Sequence, residues 1–191
     1  MEKSNKELLD SSFPSGERLP LKFEVSFRQV KADVADGIMI FVDGNQVGDI
    51  VTDNAFIDDG YRFHDVFHFS YAAVLGWSPC VRAMLKRKRK SNSKVDEVED
   101  GARAIIAEEA VSLIAFSQAK ENNLFADSKE VDVALLKLIS KIVSHLEVSK
   151  RSMADWERAI LKGYKAFRYL RQNGSGTFCV DVIKRDFFRL N

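Results

Sequence analysis

Arg62-Phe63-His64-Asp65-Val66-Phe67-His68-Phe69-Ser70-Tyr71-Ala72-Ala73-Val74-Leu75-Gly76-Trp77 is the stretch on which the fold turns. It reads as one helix over about residues 62–77 that stops before Pro79, whose ring cannot continue it. At about 100° per residue, with His64 at zero, Asp65 falls near about 100°, His68 about 40° and Ala72 about 80°, all in one quadrant. Phe63, Val66, Phe67, Ala73, Val74 and Trp77 gather on the other side. The polar face is not the Lys/Glu mixture of a solvated helix. His, Asp and His running into Ala72 and Leu75 suit the floor of a pocket better than open water.

A second long helical pattern covers residues 96–119, and 28 residues separate His68 from Glu97. With Glu97 at zero, Asp100 falls near about 300°, Ala104 about 340°, Glu108 about 20° and Val111 about 320°. Three carboxylates on one face repel one another, which raises their pKa values and weakens the helix unless a cation sits among them. Two such helices side by side would aim His64, Asp65 and His68 from one rod, and Glu97 and Asp100 from the other, at one divalent metal. Carboxylate oxygens suit Mg²⁺, and the imidazoles extend the choice to Mn²⁺ or another divalent transition metal. The plainer alternative stands beside this one. Residues 96–100 are then an acidic helix start favoured by the dipole, and His64 and His68 are imidazoles at the edge of a core.

Working outward, residues 1–20 are polar, carry Pro14, Gly16 and Pro20, and read as a flexible N-terminal arm. Leu21, Phe23, Val25 and Phe27 alternate with Lys22, Glu24, Ser26 and Arg28, which is a strand with one wet face. Residues 38–42 form a second strand, Asp43-Gly44-Asn45 a tight turn, and residues 46–51 the return strand. Beyond the helices already named, Pro79 opens a short turn, residues 135–146 are periodic, and Ser152 caps a helix to about Gln172 closed by Gly174. Residues 178–182 alternate again, and residues 187–190 can pair with them or with the N-terminal sheet. The expected class is α+β, a helical bundle with a small antiparallel sheet drawn from the N- and C-terminal segments. Residues 21–191 make a single domain: a β-hairpin region over 21–52, the bundle over 60–173 and C-terminal strands over 177–190.

A chain of 191 residues, 46% hydrophobic, is long enough for a full core and too apolar to stay disordered. A net charge of +1 gives no global pull toward nucleic acid or membrane. Two cysteines are too few for a disulfide framework. No apolar run reaches the ~20 residues of a membrane span, and no signal-peptide core is evident. A cytoplasmic protein is expected.

His64-Asp65-x-x-His68 followed by Glu97-x-x-Asp100 resembles the paired helical motifs of MazG-like, all-α nucleoside triphosphate pyrophosphohydrolases, Glu-Glu-x-x-Glu and then Glu-x-x-Asp. The second motif is intact; the first has His for Glu at both ends. Arg18-Leu19-Pro20, Gly60-Tyr61-Arg62-Phe63-His64-Asp65, Leu75-Gly76-Trp77-Ser78-Pro79, the run of five cations over residues 86–90 and Trp156-Glu157-Arg158-Ala159-Ile160 resemble the MazG C-terminal domain over most of the chain. The resemblance implies hydrolysis of a nucleoside triphosphate to monophosphate and pyrophosphate. Asp65, His68, Glu97 and Asp100 would be metal ligands, with His64 a ligand or its neighbour. A homo-oligomer is implied too, because such bundles complete their pockets across subunits. Glu108 is the candidate to orient or deprotonate the attacking water. Lys86, Lys90, Arg62 and Arg103 are candidate phosphate contacts, with the rest of residues 86–90 in solvent. Tyr61, on the histidine side of its helix, can stack on a base or simply pack at the helix entry.

Two rivals remain open. One is a catalytically weak or inactive nucleotide-binding and regulatory module of the same fold, favoured by the His-for-Glu departures. The other is a metal-dependent phosphohydrolase built on His64-Asp65, which would need further His and Asp ligands where only His145 is left.

Overall fold

The alternating residues after Pro20 do form the first strand. In the computed structural model, which describes residues 8–31 and 36–190, it is β1 (Lys22–Lys31), with Phe23, Val25 and Phe27 buried. Its other face carries Glu24 and Arg28, both exposed. β2 (Asp36–Val42) pairs with it antiparallel, placing Ile40 opposite Phe27, and turns through Asp43-Gly44 into β3 (Asn45–Val51). The late strands β4 (Gly176–Asp181) and β5 (Asp186–Arg189) complete one antiparallel sheet of order β3-β2-β1-β4-β5. Phe23 stands opposite Val180, so the early and late parts of the sequence meet in the middle of the sheet, as the sequence led us to expect.

The helical part departs from a free-standing bundle. α1 (Asp65–Leu75) is buried along its whole length and serves as the centre of the molecule. Phe69 on one side of it packs edge-on against Phe23 and Phe27 of β1, at centroid distances of 6.3 and 6.1 Å. On another side lies α6 (Met153–Asn173), which begins at a capping box of Ser152 and Asp155 and ends at Gly174. Gly163 permits this closeness. A Cβ there would stand 3.0 Å from the Phe67 ring and 3.4 Å from Ser70 Cβ. Ser70 Oγ donates to the Ala159 carbonyl at 2.7 Å, a hydrogen bond between the two helices. The amphipathic helix expected from its wheel is thus a core helix, and its polar residues are enclosed rather than facing an open pocket.

The expected helix over residues 96–119 is two helices. α2 (Pro79–Met84) starts on the Ser78 cap, α3 (Ser93–Val98) on the Asn92 cap, and α4 (Ala102–Glu121) begins only after Gly101. Gly101 adopts an extended conformation, φ −85° and ψ 179°, and a Cβ there would run into the carbonyl oxygen of Glu97. The wheel joining Glu97 and Asp100 to Glu108 therefore does not exist. We expect Gly101→Ala to lower unfolding free energy by about 1–3 kcal/mol, the usual cost of forcing atoms into a filled space. Urea denaturation reads it directly, and an unchanged midpoint would refute the clash.

α5 (Val133–Ile142) buries Leu135, Leu136 and Ile139 against the rest. Residues 1–7 of the expected arm lie outside the described residues; of the remainder, Asp10 and Leu19 are buried. Cys80 and Cys179 are both free and buried. No helix among the described residues is long and apolar enough to cross a membrane.

Candidate functional site

His68 sits on the face of α1 that meets α4 and the start of α2, with no exposed surface. Its Nδ1 lies 2.8 Å from Glu108 Oε1. Ser78 Oγ donates to the same oxygen at 2.7 Å, and the Cys80 backbone N–H donates to Glu108 Oε2 at 2.9 Å. Three donors on one fully buried carboxylate explain how Glu108 is accommodated away from water. With Nδ1–H given to Glu108, Nε2 is the ring position left for another partner, as a donor while the ring is charged and as a ligand once it loses that proton. That Nε2 makes no hydrogen bond. It stands 3.4 Å from Glu109 Oε1, and Cys80 Sγ stands 3.8 Å from that same oxygen.

One turn earlier, His64 stacks flat on Tyr61, centroids 4.4 Å apart and planes within 2°. Its Nδ1 is 2.9 Å from the Tyr61 carbonyl oxygen, which fixes the ring and turns Nε2 toward Asp65 Oδ1 at 3.7 Å. Among the described residues, two groups bring three ligand-type atoms within 4.8 Å of one another: His64, Asp65 and His68, and His68, Cys80 and Glu108. His68 is common to both. Glu109 lies outside both groups but touches His68, and its side chain is more open, 43% exposed.

Burial opposes charge on the His68 ring, but the Cys80 sulfur and the Glu108 carboxylate beside it prevail and hold its pKa well above that of a free imidazole. Burial works on Glu109 in the upward direction, and the His68 ring in contact overrides it, so its carboxyl is held below the usual range. Burial pushes the Cys80 thiol far up. The centre is thus an ionised Glu109 beside a basic imidazole, with the Cys80 sulfur acting on both.

The structure separates the two halves of the expected metal site. Glu97 is exposed and, among the described residues, pairs with Lys94 at 3.7 Å. Asp100 is fully buried, but against arginine: it accepts from the Arg89 backbone N–H at 2.7 Å and from Arg89 Nη2 at 2.7 Å, with Arg82 Nε at 3.7 Å. Neither belongs to a ligand group with His64, Asp65 or His68, because the break at Gly101 turns α3 away and leaves α4 to face α1. The carboxylates that α4 presents to His68 are Glu108 and Glu109. Glu108 is met at the centre, but its three donors leave it a positioning residue for His68 rather than a base for water. Glu99 is half-buried and accepts from the Glu147 backbone N–H at 3.0 Å.

Among the phosphate candidates, Lys86, Lys90 and Arg103 are exposed. The buried cation of residues 86–90 is Arg89, which also pairs with Glu147 at 2.7 Å. Arg62 is held by Asp53 and Asp58, at 2.5 and 2.9 Å. Tyr61 packs on His64 and, edge-on, on Phe116, so its ring is occupied at the helix entry. Glu109, Cys80 and Ser78 escaped the sequence reading. The doublet Glu108-Glu109 was the available signal, since adjacent acids on a helix that is otherwise apolar at Ala107, Ala110 and Val111 need a reason.

A His-Asp-x-x-His helix buried in an α+β core against a Glu-Glu pair defines a helix-borne centre of imidazole and carboxylate groups. The chain belongs to the MazG C-terminal domain family, whose model matches residues 4–189. Membership suggests a function connected with nucleotides. No curated protein and no solved structure matches the chain.

Proposed function

We propose that the protein hydrolyses a nucleoside triphosphate to the monophosphate and pyrophosphate with a divalent metal held at His68. The observation that carries this reading is the grouping of His64, Asp65 and His68 within 4.8 Å, with Glu109 Oε1 3.4 Å from His68 Nε2. The donor set fits a divalent cation, since a buried imidazole nitrogen without a hydrogen bond lies among carboxyl groups. Two imidazoles move the preference from Mg²⁺ toward Mn²⁺ and its neighbours. Asp65, His68 and Glu109 would hold the ion, Glu109 taking the place expected for Glu97 and Asp100. When bound, the ion lowers the pKa of water and neutralises phosphate charge.

The chain's own groups do the rest. Glu108 holds His68 in one tautomer and orientation. Tyr61 fixes the His64 ring beside Asp65. His64 and Glu109 are the members with exposed side-chain surface, 14% and 43%, and so are the ones a phosphate would meet first. Exposed Ile106 and Leu113, one on each side of Glu109 on α4, support a homo-oligomer assembled next to the site, which light scattering would test.

The experiment is incubation with each nucleoside triphosphate and Mn²⁺ or Mg²⁺, with pyrophosphate as readout. Asp65→Asn is expected to lower turnover by about a hundredfold or more, the scale of losing one preorganised electrostatic group. Turnover equal to wild type would reject the site.

A second reading is favoured by one observation: the Glu-x-x-Asp acids, Glu97 and Asp100, lie outside the centre. On that reading the protein binds a nucleotide without cleaving it. Calorimetric binding of a triphosphate, with no pyrophosphate under any metal, selects it.

A further inference from the structure

The geometry points to Cys80 as a thiolate ligand in the metal centre, which makes the resident cation a thiophilic one of the Zn²⁺ class. The inference rests on the reading of the α1–α4 contact as a metal site, not on the reaction carried out there.

The distances fit such an ion. In a tetrahedral zinc centre, bonds of about 2.0 Å to nitrogen and oxygen and about 2.3 Å to sulfur put ligand atoms about 3.3 Å apart for N and O, and about 3.5 Å for S and O. His68 Nε2 and Glu109 Oε1 are 3.4 Å apart, and Cys80 Sγ and Glu109 Oε1 are 3.8 Å apart. A ligand atom of Cys80 also lies within 4.8 Å of those of His68 and Glu108. Glu109 Oε1 thus meets both His68 Nε2 and the donating Cys80 thiol at separations a small ion could occupy, and the thiol contact is a long, weak hydrogen bond that a metal–sulfur bond would replace.

The second observation is independent of distance. His68 Nε2 is fully buried and makes no hydrogen bond. Its partner nitrogen is bonded to the buried Glu108, which is itself fixed by Ser78 and Cys80 N–H. A carboxylate on one imidazole nitrogen with the other aimed at a ligand is how metal-binding histidines are oriented. Cys80 is positioned by the same device, because its own N–H is one of the donors on Glu108. Sulfur selects against Mg²⁺, which takes oxygen ligands in octahedral geometry, and in favour of Zn²⁺ or Co²⁺. On binding, a metal–sulfur bond forms and the thiol proton leaves to solvent, so uptake releases at least one proton.

The test is a titration of the full chain with Co²⁺ alone, followed by absorbance. We expect one equivalent to bind with a thiolate-to-cobalt charge-transfer band in the near ultraviolet. Cys179→Ala should keep the band, since Cys179 lies on β4. Cys80→Ser, which preserves size, should abolish it and weaken Zn²⁺ binding at least tenfold in competition with a chelating dye. Circular dichroism checks that the variant is folded. If Cys80→Ser fails to fold, thiol alkylation answers instead: bound Co²⁺ must protect Cys80, and not Cys179, from the reagent. Co²⁺ binding without the band, or a band that survives in Cys80→Ser, overturns the assignment. A Cys80-dependent band in a protein that releases no pyrophosphate leaves the ligand in place and removes the hydrolase reading. Mg²⁺-dependent pyrophosphate release with no band does the reverse.

Discussion

Asp100→Ala is expected to cost about 3–5 kcal/mol of unfolding free energy, the loss typical of stranding a buried charge. Its carboxylate is the anion against which Arg89, fully buried, and Arg82, 1% exposed, are both neutralised. Arg82 also pairs with Asp10 at 2.6 Å and donates to the Glu17 carbonyl at 2.8 Å, so the network ties residues 10–17 to the helices. Removing Asp100 leaves Arg82 with Asp10 and Arg89 with Glu147, and takes away the buried carboxylate that both guanidinium groups share. Urea denaturation measures the loss, and a cost under about 1 kcal/mol would mean that water enters the network. Metal affinity in the folded fraction should change less than twofold. A tenfold fall would return Asp100 to the centre from which its arginine partners separate it.

Glu108→Ala is expected to damage both stability and metal binding. The substitution removes the acceptor of His68 Nδ1, Ser78 Oγ and Cys80 N at once. Three buried donors without an acceptor should together cost about 3–9 kcal/mol, at about 1–3 kcal/mol for each. Metal affinity should fall about 10–100-fold, as it does when the carboxylate behind a ligating histidine is lost. A pH series gives an independent reading in the metal-free protein. The folded pKa of His68 lies above its unfolded value of about 6.5. Its stabilising effect is therefore fully present below about pH 6.5 and disappears as pH rises through the folded value. The stability difference between wild type and His68→Gln should shrink with rising pH, and in Glu108→Ala it should be smaller throughout. A difference that grows with pH would contradict the assigned charge states. Metal binding runs the other way, tightening with pH as ring and thiol give up protons.

The sheet was legible because it follows from period-two alternation and from one turn. Residues 21–28 and 38–42 carry their own instructions, and residues 178–182 and 187–190 repeat the pattern far along the chain. The caps of α6 were legible for the same reason, Ser152 and Gly174 being local devices. What failed was continuity. Nothing in a helical wheel shows that Gly101 is extended, because that depends on where the Glu97 carbonyl lies in three dimensions. Once the rod breaks there, every angle measured across it loses meaning. Asp100 then passes from a ligand to the counter-ion of Arg89, while Glu108 keeps its place. His64, Asp65 and His68 were found together because they lie within one helical turn of one another. Cys80 and Glu109 come to them through the turn at Ser78-Pro79 and the packing of α4. Neither is periodic in the sequence.

The order of strands bears on how the molecule is made. β1 is paired on one side with β2, a near neighbour in sequence, and on the other with β4, which is synthesised some 150 residues afterwards. Until residues 176–181 leave the ribosome, the hairpin has a bare edge, and Phe27 lacks the Phe178 ring that packs edge-on against it. Such long-range pairing slows folding, and an open edge invites association with another nascent chain. Yield in cells should therefore depend more on chaperone supply than the native stability of the finished protein would suggest.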